Sequence, residues 1–112
     1  MQNHQLIVSL RNCVNFCNVC ADACLEEDID KMRDCIRTDR VCAEVCNAAA
    51  NILAISYPNI NALIAYCHRI CEACATDCEK HDHQHCKDCA KACRECAEEC
   101  VSFLNGDFAK LS

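Results

Sequence analysis

CHRICEACATDCEKHDHQHC, residues 67–86, carries five cysteines and the closely spaced His81, His83 and His85, with no glycine, no proline and no β-branched run. Dense cysteines normally sit on loops that wrap a metal or are tied by disulfides. Here the intervening residues are helix formers such as alanine, glutamate and arginine. The spacing settles the matter. Cys67, Cys71, Cys74 and Cys78 step by 4, 3 and 4 residues, which keeps them on a stripe of roughly 60° along one helix face.

The same stripe recurs along the chain. Cys13, Cys17, Cys20 and Cys24 repeat the 4, 3, 4 step, and Cys86, Cys89, Cys93, Cys96 and Cys100 run 3, 4, 3, 4. Cys35, Cys42 and Cys46 belong to a fourth set, in which Asp39 completes the step. Each stripe falls where a bundle places its apolar seam. Breakers separate the segments: LEEDID (25–30) offers Asp28 as an N-cap, and SYPN (56–59) puts Pro58 where a new helix begins. EKHDHQH (79–85) is a polar junction with Asp82 as a cap, and Gly106 closes the last segment. These signals predict helices over 3–26, 29–56, 59–80 and 83–105, an all-α, up-down-up-down four-helix bundle with a cysteine-lined core. A chain of 112 residues fits one domain spanning 1–112.

Composition narrows the function. A net charge of −6 argues against nucleic-acid binding, which needs a basic face. No apolar run approaches the about 20 residues that span a bilayer, so no membrane role is expected. Sixteen cysteines in a small secreted chain would suggest a disulfide scaffold. Such scaffolds are rich in loops, whereas this chain has one glycine and one proline. MQNHQLIVSLRNC also lacks the features of a secretory signal. The expected setting is the reducing cytoplasm, with free thiols.

Cysteine as a small hydrophobe explains one or two seam positions, not the avoidance of Leu, Val and Ile at nearly all of them. Four inward stripes make a tube of thiols, and thiolates select soft or borderline ions. Zinc prefers closed tetrahedral sites. Iron–sulfur clusters take four cysteines each, with room for sulfide. Cu(I) fits the pattern best, because it accepts two or three thiolates and each thiolate can bridge two ions. Many monovalent cations would also neutralise thiolates too costly to bury alone. The expected cargo is multiple Cu(I) ions per chain. No Cys–His–Asp arrangement stands apart from the stripes and no nucleotide motif is present, so the chain reads as a non-enzyme.

The two ends of the tube differ. Leu6, Leu10, Ala49, Leu53, Ile60, Ile64 and Phe103 extend the stripes at one end as an apolar plug. Met32, His81, His83 and His85 collect at the other, where thioether and imidazole can ligate without losing a proton. That end is the expected mouth. His4 and His68 lie off the stripes.

These stripes, with CIRTDRVCAEVC (35–46) and CEKHDHQHCKDCAKAC (78–93), resemble the cytosolic copper storage proteins over nearly the whole chain. The resemblance implies a cytosolic Cu(I) store, inward-facing cysteines, admission at a His/Met end and a homotetramer. It carries the sixteen cysteines over as thiolate ligands and His81, His83 and His85 as mouth residues. Asp39 departs from regular sulfur coordination. A copper chaperone is a further expected partner. An iron–sulfur electron carrier and a zinc or redox-buffering thiol protein remain alternatives, the first marked by a brown chromophore and the second by metal competition and thiol counting.

Overall fold

The computed structural model describes residues 2–106. Four helices follow one another: α1 (Gln2–Cys24), α2 (Ile29–Ala54), α3 (Asn61–Cys78) and α4 (Gln84–Leu104). Met1 and residues 107–112, the ends of the expected 1–112 unit, lie outside the described residues.

Sulfur contacts fix the topology. Cys13 meets Cys42 and Cys20 meets Cys35, so α1 and α2 run antiparallel. Cys17 meets Cys89 and Cys20 meets Cys86, which makes α1 and α4 antiparallel too. Cys13 meets Cys71 and Cys17 meets Cys74 across the diagonal, so α1 and α3 point the same way. The bundle is up-down-up-down, 49 × 22 × 18 Å in extent. Residues 25–28 and 79–83 turn at one end; residues 55–60 turn at the other, beside the start of α1 and the end of α4.

The helix ends show which local signals decide. Asp28 caps α2 as expected: its side chain accepts from Asp30 N–H, at 3.2 Å. α1 stops at Cys24 rather than 26, because the N–H groups of Leu25, Glu26 and Glu27 bond three residues back, each at 3.1 Å, and tighten the last turn. α2 ends at Ala54, two residues early. Ser56 adopts φ 57°, its N–H bonds Leu53 O at 2.9 Å and Tyr57 N–H bonds Ile52 O at 3.3 Å. That is a Schellman closure with serine in the place glycine usually takes.

α3 starts at Asn61 instead of 59. Ile60, only 4% exposed, sits at the N-cap without a side-chain cap bond. Burial of an apolar anchor, rather than Pro58, sets the start. Asp82 does not cap α4; His83 occupies the N-cap in extended backbone and makes no cap bond with its side chain. Its ring is engaged elsewhere. Gly106, at φ 68°, closes α4 with its N–H on Phe103 O at 3.1 Å, as read from sequence.

Candidate metal centre

All sixteen cysteines are free and fully buried. They form a continuous column. From the plug inward, Cys46 lies 3.6 Å from Cys71, Cys71 lies 3.7 Å from Cys42, and Cys13 lies 3.7 Å from both Cys42 and Cys93. Cys17 continues it, 3.8 Å from Cys93 and from Cys89 and 3.9 Å from Cys74. Cys67 donates to Val45 O; it, Cys96 and Cys100 are buried next to the plug. Nearer the mouth, Cys20 lies 3.9 Å from each of Cys24, Cys35 and Cys86. Cys35 and Cys78 make the shortest described sulfur pair, at 3.3 Å.

These contacts resolve into sets of four ligand atoms within 4.8 Å of one another: Cys13/Cys42/Cys46/Cys71, Cys13/Cys17/Cys42/Cys93, Cys17/Cys74/Cys89/Cys93, Cys20/Cys24/Cys35/Cys86 and Cys20/Asp39/Cys78/Cys89. The sets share members. Cys13, Cys17, Cys20, Cys42, Cys89 and Cys93 each stand in two of them. Sharing suits ions bridged by common thiolates and does not suit separate tetrahedral sites with four dedicated ligands.

Asp39 joins the inner and outer halves of the column. Its Oδ1 accepts from Cys74 at 3.1 Å, Cys89 at 3.3 Å and Cys78 at 3.6 Å, and Oδ2 accepts from Cys35 at 3.8 Å. The carboxyl is fully buried. Burial first, then the charges of Cys74 and Cys89, push it far above the usual carboxylate range. Thiols are weak donors and do not offset that desolvation, so the metal-free core holds a neutral carboxyl. The Cys20 thiol moves the other way: hydrogen bonds from Cys35 and then Cys78 lower it. Burial raises Cys24 and Cys86 beside it. Hydrogen bonds from Cys17 and then Cys20 also lower the Cys89 thiol, so the thiols that favour losing a proton include one on each side of Asp39.

At the mouth, the structure separates residues that the sequence grouped. His85 Nδ1 lies 3.4 Å from Cys20 Sγ and 3.5 Å from Cys86 Sγ, while its Nε2 is buried without a partner. His83 stacks on it, with centroids 5.4 Å apart and planes within 2°. His83 Nε2 lies 3.0 Å from Glu27 Oε2. His81 is half-buried and its ring makes no hydrogen bond or ion pair among the described residues. Met32 is 1% exposed within the core cluster. His4 is exposed and His68 half-buried, both away from the column. Glu27 escaped the sequence reading, since its partner lies on a different turn and no spacing rule connects the two.

At the far end Leu6, Leu10, Ala49, Leu53, Ile60 and Ile64 are buried, with Phe103 packed against them. This is the expected plug.

A four-helix bundle whose core is one column of cysteines in overlapping four-ligand sets, closed by aliphatics at one end and flanked by imidazoles at the other, defines a multinuclear thiolate metal-binding protein. The chain belongs to the copper storage protein family, whose profile matches residues 1–105. It is 47% identical over 92 residues to an uncharacterized cysteine-rich protein, YhjQ, of Bacillus subtilis, covering 81% of this chain and 85% of that one. The Cu(I)-bound copper storage protein BsCsp3 shares 43% identity and a TM-score of 0.86, over 91% of this chain and 97% of that chain. A cytosolic copper storage protein from Streptomyces lividans, loaded with five coppers, shares 37% identity and a TM-score of 0.90, over 94% and 93% of the two chains.

Proposed function

We propose that this chain, acting as one unit, stores and buffers multiple Cu(I) ions on the thiolates of its bundle core. One observation carries the reading: six of the cysteines each stand in two four-ligand sets, so one sulfur can serve two ions at several levels of the column. Cu(I) accepts low coordination by soft, bridging thiolates, whereas zinc and iron–sulfur sites need four ligands each. The iron–sulfur and zinc readings are accordingly disfavoured. The ligands assigned are Cys13, Cys17, Cys20, Cys24, Cys35, Cys42, Cys46, Cys67, Cys71, Cys74, Cys78, Cys86, Cys89, Cys93, Cys96 and Cys100. Asp39 is an oxygen ligand within the Cys20/Cys78/Cys89 set, and Met32 a thioether at the mouth. His85 is the imidazole that meets the first thiols, with His83 and His81 outside it.

Loading is an exchange of protons for metal. Each thiol that ligates releases its proton, and each Cu(I) replaces one positive charge with another, so the core stays close to neutral as it fills. Cys20 and Cys86, in contact with His85 Nδ1, are the first thiols an ion leaving that imidazole would meet. The role is binding without turnover. The Streptomyces relative is described as cytosolic, and among the described residues no helix is long and apolar enough to cross a membrane; both support a cytoplasmic site of action. A homotetramer is part of the proposal, and the apolar residues exposed on its helices, among them Val8, Val19, Val41, Tyr66 and Val101, are ones that such an assembly could cover. A copper chaperone is the proposed donor.

The test is competition. Reduced protein is offered Cu(I) and Zn(II) together, anaerobically, in the presence of a chromophoric Cu(I) chelator. Full Cu(I) occupancy with zinc excluded is expected; retention of zinc in preference to copper would contradict the assignment.

A further inference from the structure

The contact between Glu27 and His83 joins the only two described turns at the mouth, 25–28 from the first half of the chain and 79–83 from the second. Glu27 Oε2 lies 3.0 Å from His83 Nε2, and the two side chains are 27% and 42% exposed. Exposed contacts of this kind contribute little stability. Two further observations give this one a direction. His83 lies flat on His85, within 2° of parallel, and the His85 Nε2 beneath that stack is buried and unpartnered. His85 is thus held by the ring above it and by the thiols below, with Nδ1 aimed at Cys20 and Cys86.

A neutral imidazole carries its proton on one nitrogen and its lone pair on the other, and the group facing one nitrogen decides which. A carboxylate oxygen beside Nε2 favours the proton there. The lone pair of His83 is then on Nδ1, the nitrogen available to a soft cation. In metal sites, outer carboxylates of this sort fix ring orientation and tautomer, and their loss costs about 10–100-fold in affinity or activity.

We infer that Glu27 is a positioning residue for copper uptake: it holds the His83 ring over His85 with its Nδ1 lone pair free, so that a Cu(I) ion captured at His83 is passed to His85 and the Cys20/Cys86 thiols. This rests on the Cu(I) storage reading. Glu27 touches no thiol and adds no ligand to the store. It acts through His83 alone.

Uptake is followed by stopped-flow transfer from a Cu(I) chelator to reduced full-length protein, with final capacity measured on the same samples. Glu27→Ala slows uptake about tenfold and leaves capacity unchanged. Glu27→Gln, whose amide oxygen can still accept from Nε2–H, recovers most of the rate. In a His83→Ala background, Glu27→Ala has no further effect, because the residue through which it acts is gone. The metal-free protein gives an independent readout. Long-range nitrogen–proton NMR at about pH 8, above the ordinary histidine range, shows His83 as the Nε2–H tautomer in wild type and a mixture of tautomers in Glu27→Ala. An unchanged rate in Glu27→Ala, or the same slowing with and without His83, would overturn the inference; so would an unchanged tautomer. Failure to take up multiple Cu(I) ions in wild type would instead overturn the storage reading, which the capacity measurement detects separately.

Discussion

The two ends of this bundle are built on the same helical stripes and do opposite things. At the plug, Leu6, Leu10, Leu53, Ile60 and Ile64 occupy seam positions and are at most 4% exposed; apolar burial there stabilises the fold and offers a cation nothing. At the mouth the same seam carries Met32, Asp39 and His85 among thiols, groups whose sulfur, oxygen and nitrogen atoms can ligate a cation. Apolar burial is thus concentrated at one end and potential metal ligands at the other, and the proposed storage role places exchange at the second.

The comparison breaks most visibly at the plug. Leu10 is fully buried, and Leu10→Ala is expected to destabilise the metal-free protein by about 2–5 kcal/mol, measured by urea denaturation under reducing conditions. Copper uptake by the folded variant should keep its rate. A slower uptake would mean that the plug end also admits metal.

Asp39 tests the boundary between the halves. Its folded-state pKa is raised by burial, while in the unfolded chain it ionises near about 3.9. The folded state therefore binds the extra proton, and stability falls as pH rises above about 4, by up to about 1.4 kcal/mol for each pH unit. Asp39→Asn removes that titration. The metal-free variant should match wild type near pH 4 and become progressively more stable than wild type toward neutrality. Parallel stability–pH curves for the two proteins would show that the carboxyl ionises in the folded core.

At the mouth, replacing His81, His83 and His85 together by alanine should slow both loading and removal of copper about a hundredfold, about 2.7 kcal/mol in barrier and more than the loss of Glu27 alone, while capacity stays almost unchanged. Single replacements sharpen this: His85 should account for more of the effect than His81, whose ring lies free of the thiols. A large loss of capacity would make the histidines principal ligands. The smallest effect belongs to the turn beside the plug. Ser56 at φ 57° carries a side chain where glycine fits without strain, so Ser56→Gly should stabilise by about 1 kcal/mol with no change in copper kinetics.

Much of this was legible from cysteine spacing alone. A 4, 3, 4 step admits one face of a helix and nothing else, so four stripes required four helices and an inward column. The plug followed from extending the same arithmetic. Spacing failed where side chains from different turns meet. Asp82 looked like a cap, yet the N-cap fell to His83, whose ring is committed to Glu27 and His85 rather than to the helix end. His81 and His85 stand level in the sequence reading, ahead of His83, and only the direction of the 79–83 turn places His85 against the thiols and His81 away from them. Asp39 was visible as a break in a stripe. That its carboxyl is enclosed by Cys35, Cys74, Cys78 and Cys89 could be known only once three helices were assembled.

The most direct test of the central claim is the number of ions held. Fully reduced protein is titrated anaerobically with Cu(I) against a chromophoric chelator until the chelator retains the added metal. Shared thiolates along one column predict saturation at a number comparable with the sixteen cysteines. Saturation at about four or fewer, the number that closed tetrahedral sites would allow, would contradict it.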